Sequence, residues 1–159
     1  MTTLTTTINI YNRLADIEET ISYKGKYLNA ARSTPTLLEP NLLPLFVNEP
    51  GNATYKRLDE QGYLITRQWQ LTLFVRNVGD GIQSIANNEL DTMQLMDAVV
   101  TTFVSKPLLQ LSGIPLNNIL ETGLVSDSIG GAVTYPAGDD TKQYYAIRWI
   151  MAITYTQYC

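Results

Sequence analysis

"GYLITRQWQLTLFV", Gly62 to Val75, decides the fold. Tyr63, Ile65, Trp69, Leu71, Leu73 and Val75 alternate with Thr66, Gln68, Gln70 and Thr72, the period-two pattern of a strand with one apolar face and one wetter face. Arg67 falls on the apolar side. A guanidinium there either finds an acceptor or a protein partner, or reaches back to water from near the strand end. "YYAIRWIMAITYTQY", Tyr144 to Tyr158, repeats the pattern, with Arg148 beside Trp149. Fifteen extended residues span roughly 45–50 Å at about 3.3 Å each. A domain of this size is only about 30–40 Å across. Each strand must therefore be broken by a bulge or project as an arm, and a projecting hairpin with unpaired edges invites pairing with another subunit.

Outward from that strand, "TTTINIYNRLADIEETI" places Ile10, Leu14, Ile17 and Ile21 at helical spacing. A Thr among residues 5–7 suits the N-cap, and Gly25 suits the left-handed position that closes the helix. Pro35, Pro40 and Pro44 make residues 26–44 an extended crossing segment. "LLPLFVNE" reads as a strand, and residues 48–61 read as a long loop leading into Gly62. "SIANNELDTMQLMDAVVTTFVSKP" is a second helix, with Leu90, Met93, Met96, Val100 and Phe103 as its buried stripe and Pro107 beyond its end. Strand-like segments follow around Ile119–Val125 and Ala132–Tyr135, with Gly130-Gly131 as a bulge between them. "PAGDD" turns into the last strand, Gln143 to about Tyr158. The expected fold is α+β: one domain over residues 1–159, a mainly antiparallel sheet with two helices packed on one face, and long hairpin or loop extensions.

The 159 residues carry a net charge of −4, with no His and a single Cys, Cys159. Eleven scattered Lys and Arg do not form the basic stripe that specific nucleic-acid binding requires. Without imidazole there is no Ser-His or Cys-His pair and no histidine metal ligand. Glu18-Glu19, Asp59-Glu60 and Asp139-Asp140 read as solvated surface charge, and Gly79-Asp80-Gly81 as a turn that lacks any phosphate-loop pattern. We therefore expect no enzyme activity, catalytic residue, metal or cofactor. The N-terminus has no signal-peptide pattern, no apolar run approaches a bilayer span, and one Cys permits no intrachain disulfide. These features suggest a soluble chain made inside the cell.

The initial helix "IYNRLADIEETI", the strand reached through "LLPLFVNEPGNATYKRLDEQG", the helix "ELDTMQLMDAVVTTFV" and the closing "AIRWIMAITYTQY" together resemble the tail-terminator, or tail-completion, proteins of tailed bacteriophages. The resemblance is one of organisation and covers nearly the whole chain. It implies a virion protein of the tail or neck, assembled in the host cytoplasm as a homo-oligomeric ring, a hexamer by the family pattern. Such a ring ends growth of the tail tube and docks the head–tail connector, and in contractile tails it also meets the sheath. DNA passes through its lumen without specific binding, and no membrane is involved. A head–tail connector or tail-tube protein on the same plan is the nearest alternative, and a small cytosolic ligand-binding module a more distant one. Exposed loops and strand ends nominate Tyr55, Arg57, Asp59, Arg67, Tyr135 and Asp139 as subunit or partner contacts.

Overall fold

The computed structural model describes residues 7–35, 38–77, 85–137 and 140–158. It contains α1 (Thr7–Glu18), the short strands β1 (Ser22–Tyr23), β2 (Lys26–Tyr27) and β3 (Asn29–Ala30), then β4 (Leu45–Arg57), β5 (Gly62–Asn77), α2 (Ile85–Val104), β6 (Ile119–Ala137) and β7 (Asp140–Tyr158). β1 and β2 make a small hairpin of their own, while the main sheet has the order β3-β4-β5-β7-β6. Only β3 against β4 is parallel, and the long strands alternate antiparallel.

β5 lies inside the sheet, and its alternation sorts the whole molecule into two faces. Leu73 pairs with Phe46 and Ile147, Leu71 with Asn48 and Trp149, and Trp69 with Pro50 and Met151. Residues opposite one another share a face, so these rows form one continuous surface, apolar except at Asn48. Ile10, Leu14 and Ile17 of α1 and Leu95, Val99 and Phe103 of α2 bury themselves in the same cluster. Both helices therefore pack on one face of the sheet, and the fold is α+β as its sequence suggests.

Some local readings change. The α1 stripe holds, with Ile10, Leu14, Ile17 and Ile21 all buried, but the helix ends at Glu18. Its end is closed by Glu19 N–H to Ala15 O at 3.0 Å and Thr20 N–H to Ile17 O at 3.0 Å. Gly25 does adopt a positive φ, 78°, but with Lys24 at 51° it forms the turn between β1 and β2. In α2 the buried line is Leu95, Val99 and Phe103, with Met96 and Val100 at its margin and Met93 half exposed. Leu, Met and Val surround this helix on several sides, so adjacent stripes are equally apolar and contact with the sheet selects one of them.

The largest change concerns residues 48–61, which are mostly strand. β4 continues through Arg57 in register with β5, apart from an irregularity between Pro50 and Ala53, and only residues 58–61 turn. Pro50-Gly51 reads as a loop signal, yet Gly51 is what allows the close crossing here: a Cβ on it would stand 2.7 Å from the Gln68 carbonyl oxygen. β6 likewise runs unbroken where two segments are expected, bending at three register shifts that include Gly130–Val133. The proline-rich crossing segment does not lie idle. Leu38 packs with Leu45, Val47, Phe74, Tyr144 and Ala146 in a second core on the face away from the helices. One end of the sheet is thus covered on both sides, and the other end is covered on the helix side alone.

Candidate oligomerisation surface

The nominated residues on β4 and β5 come together at the end of the sheet that the second core does not reach. Arg67 sits level with Ala53, on the helix side. Its Nη1 donates to the Gly51 carbonyl at 2.9 Å and its Nη2 to the Tyr55 hydroxyl at 3.2 Å, while its Nε is shielded and has no partner. Of the two readings for this side chain, the acceptor is the one realised, and it is supplied from within the same hairpin. Tyr55 is 60% exposed and meets Tyr63 edge-on, with ring centroids 6.5 Å apart. These rings, Ile65 and Gln157 border a recess of about 260 Å³. At the tip, Arg57 Nε donates to Asp59 O at 3.0 Å, and the Asp59 carboxylate accepts from Gln61 N–H at 2.8 Å. Arg57 and Asp59 therefore lock the turn.

Tyr135 lies elsewhere. It belongs to β6, opposite Lys142 near the end of the β6–β7 hairpin, whereas Gly62 and Tyr158 mark the opposite end of the sheet. The structure does not bring Tyr135 to the Tyr55–Arg67 group, and Asp139 falls outside the described residues. The two hairpins point away from each other.

Three features were not nominated from the sequence. First, β6 is the terminal strand, and among the described residues nothing pairs with its outer edge. Leu120 and Val125, both more than half exposed, occupy two of its register shifts. Second, a recess of about 160 Å³ adjoins that edge, lined by Phe103, Val104, Pro107, Leu124 and Met151 with Thr122 and Gly123. An irregular apolar residue on a strand is the only sequence signal for either. Third, Glu18 is not on the helix exterior. It is wholly buried, accepts a 2.6 Å hydrogen bond from Asn48 Nδ2, and leaves its own Oε2 and the Asn48 Oδ1 unpartnered. Burial pushes its carboxyl well above the usual range, with the Asn48 bond and the Arg32 charge opposing that shift. Arg32 itself bridges Asp16 at 2.7 Å and Glu19 at 2.9 Å.

Away from the helices, the sheet presents Thr54, Thr66, Gln68, Gln70, Thr72, Thr154 and Thr156, with the Thr66 and Thr154 hydroxyls 3.0 Å apart. This surface is mainly hydroxyl and amide, interrupted by Leu64, Ile150 and Ala152, with Arg148, Lys56, Glu49 and Glu121 toward its margins. Among the described residues, no group of three or more His, Cys, Asp or Glu is placed to hold a metal ion, and no helix is long and apolar enough to cross a membrane. No protein-family model and no curated protein sequence matches the chain.

Proposed function

We propose that this chain is a structural subunit of a bacteriophage tail, a terminator that closes into a ring at the head-proximal end of the tube. The observation that carries the reading is the pair of long hairpins. β4–β5 and β6–β7 run 13, 16, 19 and 19 residues, roughly two to three times the usual strand, and both outer edges of the sheet lack a full-length partner among the described residues. Unpaired edges of that length are a liability in a free monomer and an asset in an assembly. Edges at opposite sides of one sheet suit a head-to-tail contact, the kind that closes as a ring when its rotation permits. The resemblance in organisation supplies the rest: tube protein on one side, head connector on the other, DNA through the lumen. A weakly charged hydroxyl and amide surface suits such a passage, because phosphate is held by dense Lys and Arg.

The test is an image of particles made without this protein. Overlong tail tubes are expected, and tails of normal length would refute termination. Mass measurement on the purified chain, alone and with tube protein, separates the nearest alternative. A terminator stops at one ring, while a tube protein stacks into filaments.

A further inference from the structure

We propose that the ring is joined by antiparallel pairing of the outer edge of β4 in one copy with the outer edge of β6 in the next, shifted by two residues. This inference rests on the ring reading and names its contact. The direction follows from topology. Four long strands alternate antiparallel across the sheet, so the two edge strands run oppositely. Placing β4 of one copy beside β6 of another, with both sheets upright, continues the alternation without reversal. β3 holds β4 only at Leu45 and Phe46, which leaves Val47 to Arg57 without a strand partner along that side among the described residues.

Charge selects this pairing over a two-fold one. Residues 119–128 of β6 carry Glu121 and Asp127 and no base, while the distal half of β4 carries Lys56 and Arg57 and no acid. Two β6 edges, or two distal β4 edges, would bring like charges together, whereas β4 against β6 brings opposite ones.

The register comes from tracing rows across one sheet. Thr54 is level with Thr66, Thr154 and Glu121, and Ala53 is level with Arg67, Ile153 and Thr122. A shift of two residues keeps every side chain on its own face, which a shift of one would not. It sets Lys56 of the next copy opposite Glu121 on the open face. The same shift sets Tyr55 opposite Thr122 on the helix face, with Leu124 on the diagonal and within reach of an aromatic ring. Thr122 and Leu124 border the apolar recess by Phe103 and Val104. One register therefore matches a charge pair and seats the most exposed tyrosine of the β4–β5 arm against an open apolar hollow. Stagger of this kind is also what a sheet needs in order to close on itself.

The experiment uses the full chain with Cys159→Ser, carrying Lys56→Cys and Glu121→Cys together. Within one copy these positions are separated by β5 and β7 and by two residues along the strand, roughly 16 Å, too far for a disulfide. Oxidation is expected to give covalent oligomers up to the closed ring, several-fold more than the unshifted pair Thr54→Cys and Glu121→Cys. In parallel, Lys56→Glu or Glu121→Lys alone should weaken assembly and the two combined should restore it, while Tyr55→Ala should weaken it about tenfold. Oligomers that form without the 56–121 disulfide and ignore the charge reversals would overturn this pairing and leave the ring standing. An unmodified chain that stays monomeric even with tube protein would overturn both.

Discussion

Glu18 makes stability fall with pH in a range where surface carboxylates have finished titrating. Its carboxyl is wholly buried between α1 and β4, and the one hydrogen bond from Asn48 does not offset the loss of water around a charge. In the folded state it therefore stays protonated to a pH well above its ordinary 4.5. In the unfolded chain it ionises near that ordinary value, so between the two pKa values the native state holds one more proton. Stability from this group is complete below about pH 4.5 and declines as pH rises toward the folded pKa. The slope for one proton is about 1.4 kcal/mol per pH unit, or about 3–5 °C in midpoint for a domain of this size. Glu18→Gln removes the proton linkage, keeps a carbonyl to accept from Asn48 Nδ2, and offers an amide to the orphaned Asn48 Oδ1. Urea melts of both proteins from pH 4 to pH 8 should show the variant gaining on the native chain from about pH 5 upward. A constant gap across that range would refute the buried, neutral acid.

Three more outcomes follow from named contacts. Gly51→Ala drives a Cβ against the Gln68 carbonyl, and a shifted β4 should cost about 1–3 kcal/mol in a denaturant melt. Arg67→Met keeps the stem but loses the bonds to Gly51 O and the Tyr55 hydroxyl; amide exchange should quicken over residues 51–57 while the core rows around Leu71 remain protected. Leu38→Ala empties the second core and should cost about 2–5 kcal/mol, a loss that an idle crossing segment would not produce.

Legibility in this sequence tracks burial. β5 and β7 were plain because one face of each is packed beneath two helices, so alternation at Ile65, Trp69, Leu71 and Leu73 carries through to the structure. The line Leu95, Val99 and Phe103 was not, because α2 offers apolar residues on neighbouring stripes and only the tertiary contact ranks them. Glu18 follows Ile17 directly, and its charge type argues for exposure. The reason it is buried lies thirty residues away in Asn48, which no local pattern can reveal. Arg67 was legible as a residue that needs either an acceptor or a route to water. That its acceptors are Gly51 and Tyr55 depends on β4 being a strand, which the mostly exposed residues 49–57 do not signal by any apolar alternation.

The failure at β4 has a physical cause that bears on function. Beyond Asn48 the strand leaves the core, and Glu49, Asn52, Thr54, Lys56 and Arg57 are all exposed. Ordering such a segment costs about 1–2 kcal/mol per residue in backbone entropy, with little burial to offset it. In the free chain it is held by its ladder to β5, by the Arg67 clamp on Gly51 and Tyr55, and by the Arg57–Asp59 lock at the turn. Those devices fix the shape of an arm without covering it. An arm kept straight but left bare is poorly explained by the stability of the monomer, since a shorter hairpin would expose less and order fewer residues. It is well explained if the bare side is completed by another chain, because preorganisation in the free subunit lowers the entropy lost on docking. The clamp then belongs to assembly as much as to folding. Loosening it should slow ring formation more than it lowers the melting temperature of the core.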